Sequence, residues 1–399
     1  MLYVKVNSEA FLEESRKQNT DFTRKRNLPF PLLCLFLLRT VRECLSVAFE
    51  KFTETTGEKI TMTEQSLSAA RNKIRWEAFA SLSEDVGKLA YEGDYDTWNG
   101  YRVWAIDGTK IALPNVPSLR ELFGDEKGSP MAQGSILYDV LNYTTLDAHI
   151  EPLAVDERTL AKRHIDALVK HMDGAKDLII SDRGYPSEDL IDYYEETNKV
   201  KYLMRVRRKF NVDVDAVSGN EGFVKIGKHT VRVIRVVLDT GEIEVLLTNL
   251  TENFDFKSLY FCRWGVEKEY DVLKNTLEIE NFSGRTETAV KQDFYAHIIA
   301  SNLLAASYWE AQALVDATRN SNTENKHKYK VNVSQAAGTL KTYLVRAILA
   351  KSSRKRNKLL DEMHSRIAKA SIPIRPNRIV PRKKNNRASK FAHNRKSNL

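Results

Sequence analysis

Two short stretches constrain this chain more than any others. Val103-Trp-Ala-Ile and Leu178-Ile-Ile-Ser are apolar runs, and each stops on an aspartate, Asp107 or Asp182, with a glycine close behind. Runs of this length, rich in large apolar and β-branched residues, read as buried strands. Taken singly, an aspartate beside a glycine suits a turn or a helix cap. Two of them, ending two strands of one sheet, bring two carboxylates to one edge. The sequence predicts that Asp107 closes a first strand and turns into a hairpin with Ile111-Ala-Leu.

The rest of the middle of the chain supports a sheet. Residues 135–142 and 149–155 read as further strands, residues 157–172 as an amphipathic helix, and residues 200–207 as a fifth strand. Pro186 suits the start of a helix after Asp182. Residues 209–250 break the rhythm, with a β-hairpin at 231–238 and 243–249. Hairpins followed by alternating strands and helices give an α/β fold, a mixed sheet with flanking helices. The expected division is a helical N-terminal module at 1–95, a core at 96–315 carrying the β-rich insertion 209–250, a helical region at 316–350, and a basic extended tail at 351–399.

Within the N-terminal module, Arg71, Lys73 and Arg75 follow a short polar turn. A basic helix there suits a DNA groove, although an ordinary amphipathic helix is the commoner explanation. The longest apolar run, residues 28–38, is too short to span a bilayer and begins too late for an ordinary signal peptide. Three cysteines, Cys34, Cys44 and Cys262, show no zinc or disulfide spacing, which fits a reducing cytoplasmic setting.

Charge is unevenly spread. From Lys351 onward there are sixteen Lys or Arg against Asp361 and Glu362, a net +14, so the first 350 residues carry −5 of the chain's +9. A mildly acidic body with a strongly basic tail points to a polyanion such as nucleic acid, or to a solubilising tail. Pro373, Pro376 and Pro381 among the basic residues predict an extended tail.

A third acid completes the pattern. On a helix over residues 260–274, at about 100° per residue, Tyr260, Arg263, Glu267 and Lys274 share one stripe. Val266, Tyr270, Leu273 and Leu277 form the neighbouring apolar stripe that docks the helix. Alone, such a face is usually solvated, with an Arg263–Glu267 pair. Together with Asp107 and Asp182 it offers three carboxylates beside a phenol, a guanidinium and an ammonium. Three clustered acids repel one another and call for hard divalent cations, Mg²⁺ above all, with two ions about 4 Å apart suited to in-line phosphoryl transfer. Walker, dinucleotide-loop and Ser-His-Asp patterns are missing from the sequence.

These residues resemble a known family. The spacing Tyr260, Arg263, Glu267, Lys274 is the Tyr-two-Arg-three-Glu-six-Lys signature of bacterial insertion-sequence transposases of the DDE type, in the family named after insertion sequence four. Ile106-Asp107-Gly-Thr resembles the first catalytic block and Asp182-Arg-Gly-Tyr-Pro-Ser the second. The resemblance runs over nearly the whole chain and is weakest in the N-terminal module. It implies a ribonuclease-H-like core in which Asp107, Asp182 and Glu267 are catalytic and bind two Mg²⁺ ions, with Mn²⁺ as a substitute. It implies that Tyr260, Arg263 and Lys274 grip DNA phosphates, with Arg205 and Arg207 as further DNA-facing candidates and Trp264 as a nearby aromatic. It also implies cleavage of double-stranded DNA at inverted repeats, transfer of the 3′-hydroxyl to target DNA, and a homodimer in a synaptic complex, with no membrane partner. A narrower metal-dependent DNA nuclease or recombinase, and a non-catalytic DNA-binding descendant, are the alternatives. One departure stands inside the signature. Gly265 weakens a helix interior by about 1 kcal/mol and marks a first turn there.

Overall fold

A computed structural model of the protein describes residues 1–24, 28–39, 45–57, 59–126, 128–171 and 174–375. The N-terminal part is helical, with α1 (Leu2–Val6), α2 (Glu9–Ser15), α3 (Phe30–Leu37), α4 (Leu45–Thr56), α5 (Glu64–Arg71) and α6 (Glu77–Lys88). Strand β1 (Tyr101–Ala112) follows, then α7 (Pro117–Phe123), β2 (Asp125–Glu126), β3 (Ser129–Asp139), β4 (Thr144–Pro152), α8 (Glu157–Lys170), β5 (Lys176–Ser181), α9 (Glu188–Thr197) and β6 (Val200–Arg205). A short helix α10 (Val212–Ala216) leads to β7 (Glu221–Ile226), β8 (His229–Val237) and β9 (Ile243–Thr248). Helices α11 (Phe256–Phe261), α12 (Trp264–Asp271) and α13 (Glu287–Val315) come next, then β10 (Tyr329–Lys330), α14 (Val333–Ile348), α15 (Ser353–Lys369) and β11 (Ile372–Pro373). Among the described residues, no helix is long and apolar enough to cross a membrane.

One mixed sheet organises the chain. Its order runs β4–β3–β1–β5–β6–β9–β8–β7, with β2 pairing on β3. The first three strands are antiparallel, while β5 and β6 run parallel to β1. This is a mixed sheet flanked by helices, the α/β class predicted. The β-rich insertion is no separate body. Its strand β9 pairs antiparallel with β6, Leu203 opposite Thr248, and so continues the sheet.

Period-two alternation splits the strands between two cores. Val103 and Ala105 of β1, with Leu178 and Ile180 of β5, join the N-terminal helices, α12, α13, α14 and α15. Trp104 and Ile106, with Ile179, face α8 and α9 through Ile165, Leu168, Leu190 and Ile191. The N-terminal helices thus share a core with α13. Arg71, 2% exposed, bonds to Gln292, Asp293, Ser283 and the Ala289 carbonyl. This overturns the picture of α5 as a basic helix presenting Arg71 to DNA. Lys73 and Arg75 lie beyond its end, near Asp21 and the Arg16 carbonyl.

The tail needs a second correction. Its basic composition and prolines predict an extended chain from residue 351, yet Ser353–Lys369 is helical. Leu359, Met363 and Ile367 recur every four residues and are buried, and α15 packs on α13 and α14. A solvated basic face and an apolar stripe coexist on one helix, and net charge alone hides the stripe. The remaining tail, residues 376–399, lies outside the described residues, as do Lys25, Arg26, Cys44 and Met172.

Candidate active site

The parallel pairing of β1 with β5 sets the site. Its last pair is Ala105 with Ile180, so Asp107 and Asp182 each stand two residues further on, at one edge and on one face. Asp107 does not end its strand, contrary to the predicted hairpin. Strand β1 continues to Ala112 because β3 keeps pairing with it, Asp107 opposite Ile136 and Gly108 opposite Ser135. What ends at Asp107 is the parallel half of its pairing. Beyond Asp182 the chain turns, and Ser187 rather than Pro186 caps α9 through the Leu190 N–H.

Glu267 arrives from the face above. The expected single helix over residues 260–274 is broken. Tyr260 sits on α11, Arg263 on the joint, Glu267 in the first turn of α12, and Lys274 in a π-helical turn, Val272–Thr276. Gly265 stands in the first turn after the break. A methyl group at Gly265 would stand 3.0 Å from Val140 side-chain atoms, so its absence lets α12 approach the end of β3. The apolar stripe behaves as predicted, with Val266, Leu273 and Leu277 buried. Tyr270 belongs to it only in part, since its hydroxyl donates to the Asp107 carbonyl at 2.7 Å.

Arg263 joins the acids. Its Nη2 donates to Glu267 Oε1 at 2.7 Å, and its Nη1 lies 4.0 Å from Asp107 Oδ2. Asp107 Oδ1 accepts from the Gly108 N–H at 2.9 Å, and Asp182 Oδ1 from the Gly184 N–H at 2.7 Å. Each aspartate thus anchors one carboxylate oxygen on a nearby backbone N–H. Burial pushes Asp107 up to about 7; the Gly108 N–H and Arg263 oppose this, while Asp182 and Glu157 add to it. A buried carboxylate with like charges beside it is a costly arrangement for a fold alone.

Two buried polar atoms here lack hydrogen-bond partners among the described residues, the Tyr260 hydroxyl and Arg263 Nε. Such groups are rare unless something outside the chain satisfies them. Both suit a phosphate oxygen. Burial pushes the Tyr260 hydroxyl well above its ordinary range, so it stays a donor.

The other predicted contacts are placed less uniformly. Lys274 Nζ donates to Thr109 Oγ1 and to the Lys110 carbonyl, both at 2.7 Å, which ties it to β1 just past Asp107. Arg205 pairs with Glu244 at 2.8 Å. Arg207 is exposed and donates to the Arg183 carbonyl at 3.0 Å, bracing the loop after Asp182. Trp264 is exposed, with the Arg263 guanidinium 5.1 Å from its ring centre.

Sequence reading missed a partly buried network between β4, β3 and α8. Asp147 Oδ2 lies 2.7 Å from His164 Nδ1 and 3.0 Å from His149 Nε2, and His164 Nε2 is 2.9 Å from Ser135 Oγ. Burial raises the Asp147 pKa, but the two histidines outweigh that and hold it far below the usual range. This group, and not the three acids, is the one among the described residues whose potential ligand atoms all lie within 4.8 Å of one another. The three acids fit divalent cations by type, with hard carboxylate oxygens from three separate elements and a neighbouring guanidinium to balance charge.

Two aspartates stand at one sheet edge, and Arg263 links a glutamate of α12 to the first of them. The transposase DDE domain model matches residues 98–303, just over half of the 399, and the chain belongs to that family. The match spans Asp107, Asp182 and Glu267. A solved chain of the piggyBac transposase synaptic complex with hairpin DNA is distantly similar. It shows 10% identity over 92% of this chain and 84% of that one, at a TM-score of 0.45. Comparison with curated proteins finds no match.

Proposed function

We propose that this protein cuts DNA at the ends of a mobile element and joins the freed 3′-hydroxyls to target DNA, as a member of the bacterial insertion-sequence-four branch. The observation that carries this is the placement of Asp107 and Asp182 two residues beyond the last β1–β5 pair, with Arg263 bridging Asp107 to Glu267. Asp107, Asp182 and Glu267 would hold two Mg²⁺ ions, or Mn²⁺ in their place. When bound, such ions supply an activated water or 3′-hydroxyl and neutralise the charge building on the phosphate. Arg263 and Tyr260 orient the scissile phosphate through the donors the chain leaves unpaired. Lys274 braces β1 behind Asp107 and, with Arg205 and Arg207, lines the approach for DNA. Two copies, one for each element end, form the synaptic complex in this reading.

The test uses DNA flanking the gene. A duplex carrying the flanking inverted repeat is incubated with the protein and Mg²⁺. Nicks at the repeat boundary are expected, and none in the presence of a chelator. Cuts scattered without regard to the repeat would reduce the protein to a nuclease, and an intact duplex would overturn the proposal.

A further inference from the structure

A fourth acid reaches the same edge from below. Glu157 is the first residue of α8, but it does not cap that helix. Asp156 does, accepting from the Arg158 and Thr159 N–H groups. The Glu157 side chain is therefore not needed for helix entry, and it points instead into a notch cut by two glycines. A methyl group at Gly108 would stand 2.4 Å from Glu157 Oε1. At Gly184 it would stand 3.6 Å from Glu157 Oε2 and 3.0 Å from Asp182 Oδ1. Each glycine directly follows, or lies two beyond, a site aspartate and donates its N–H to it. The same two residues that fix Asp107 and Asp182 thus also make room for Glu157. Arg158 closes the arrangement by donating to the Gly184 carbonyl at 3.3 Å.

An independent observation marks the pocket as one that receives something. The Tyr185 side chain is fully buried, and its hydroxyl has no hydrogen-bond partner among the described residues. Its charged neighbours are Glu157, Asp107 and Asp182. A hydroxyl left alone among acids is where the water shell of a hard cation would sit, since Mg²⁺ keeps several of its waters. Among the described residues the Glu157 side chain has one hydrogen bond, a long one of 3.4 Å from Gln133 Nε2.

We propose that Glu157 is a fourth metal-holding carboxylate of this site, sharing an ion with Asp182 across the notch formed by Gly108 and Gly184. This rests on the reading of Asp107, Asp182 and Glu267 as metal-holding acids. The test reads metal binding without DNA or turnover. The full-length protein is titrated with Mn²⁺, and free Mn²⁺ is followed by electron paramagnetic resonance. An Asp147→Asn variant separates out any binding at the Asp147, His149 and His164 group. Glu157→Gln is expected to weaken binding by about tenfold or more for one ion. Gly108→Ala, which displaces the carboxylate without removing it, should weaken it in the same direction. Should Glu157→Gln fail to fold by circular dichroism, Glu157→Asp keeps the charge with a shorter reach and is also expected to bind more weakly. Wild-type affinity in the folded Glu157 variants, with binding lost in Asp182→Asn, would overturn the fourth ligand and leave the three acids standing. Wild-type affinity in Asp182→Asn as well would overturn both.

Discussion

Arg263 donates to Glu267 at 2.7 Å from a position four residues earlier, while its other terminal nitrogen faces Asp107 at 4.0 Å. One guanidinium therefore spans two of the three acids, and its Nε is buried without a partner among the described residues. A lysine keeps the charge but loses the planar fork. If Arg263 served only the helix, Arg263→Lys would keep the charge beside Glu267 and lower stability rather than the cleavage rate of pre-bound DNA. As a phosphate clamp its loss is expected to cost about 2–3 kcal/mol, roughly a hundredfold in rate. Single-turnover cleavage of pre-bound DNA compares the two.

The acid cluster predicts a pH dependence in the metal-free protein. Asp107 titrates near 7 when folded, chiefly through burial, against an ordinary value of 3.8. A folded-state pKa above the unfolded one means the folded state holds the proton longer. Stability from this group is complete below about pH 4 and is lost as pH rises toward 7. Asp107→Asn should therefore melt higher than wild type at pH 8 without metal, by about 2 kcal/mol, and about equally at pH 4. Paired thermal melts at the two pH values check this. Saturating Mg²⁺ should erase the advantage, because it stabilises only the wild-type site.

Burial of Arg71 gives a stability prediction far from the site. Arg71 pairs with Asp293 at 2.7 Å, both nearly inaccessible. Removing Arg71 takes its counter-charge from the buried Asp293 carboxylate, so Arg71→Met should cost about 3–5 kcal/mol in chemical denaturation. A loss under 1 kcal/mol would mean that α5 does not dock on α13 in solution. DNA affinity per folded molecule should be unchanged, since Arg71 does not face outward.

What the sequence disclosed and what it hid follow a physical pattern. The spacing from Tyr260 to Lys274 and the apolar run before Asp182 are local, and the site they announce lies where the strands deliver it. Asp107 was misplaced as a strand end because its ladder partner, β3, begins more than twenty residues later. That Gly265 marks a first turn before Glu267 is legible in the sequence, whereas its close approach to Val140 is not. The role proposed for Glu157 has no local signal, since nothing in the sequence shows that Gly108 and Gly184 leave it space. Helix α15 was hidden because the apolar period of Leu359, Met363 and Ile367 is sparse among basic residues.

Residues 376–399 carry Arg378, Arg382, Lys383, Lys384, Arg387, Lys390, Arg395 and Lys396. If they meet phosphates, deleting them should weaken binding to all DNA sequences alike and flatten the dependence of log affinity on log salt. An unchanged slope in fluorescence anisotropy titrations would make them a solvated appendage.

The central claim is that Asp107, Asp182 and Glu267 act together in DNA strand transfer. Its most direct measurement is joining of a pre-cut element end, bearing a free 3′-hydroxyl, to a supercoiled target in Mg²⁺. Wild type and Asp182→Ala are compared at equal occupancy of the end DNA. Joined product from wild type and none from Asp182→Ala, with end binding retained, is the result predicted. Joining by Asp182→Ala within a few-fold of wild type would contradict the account.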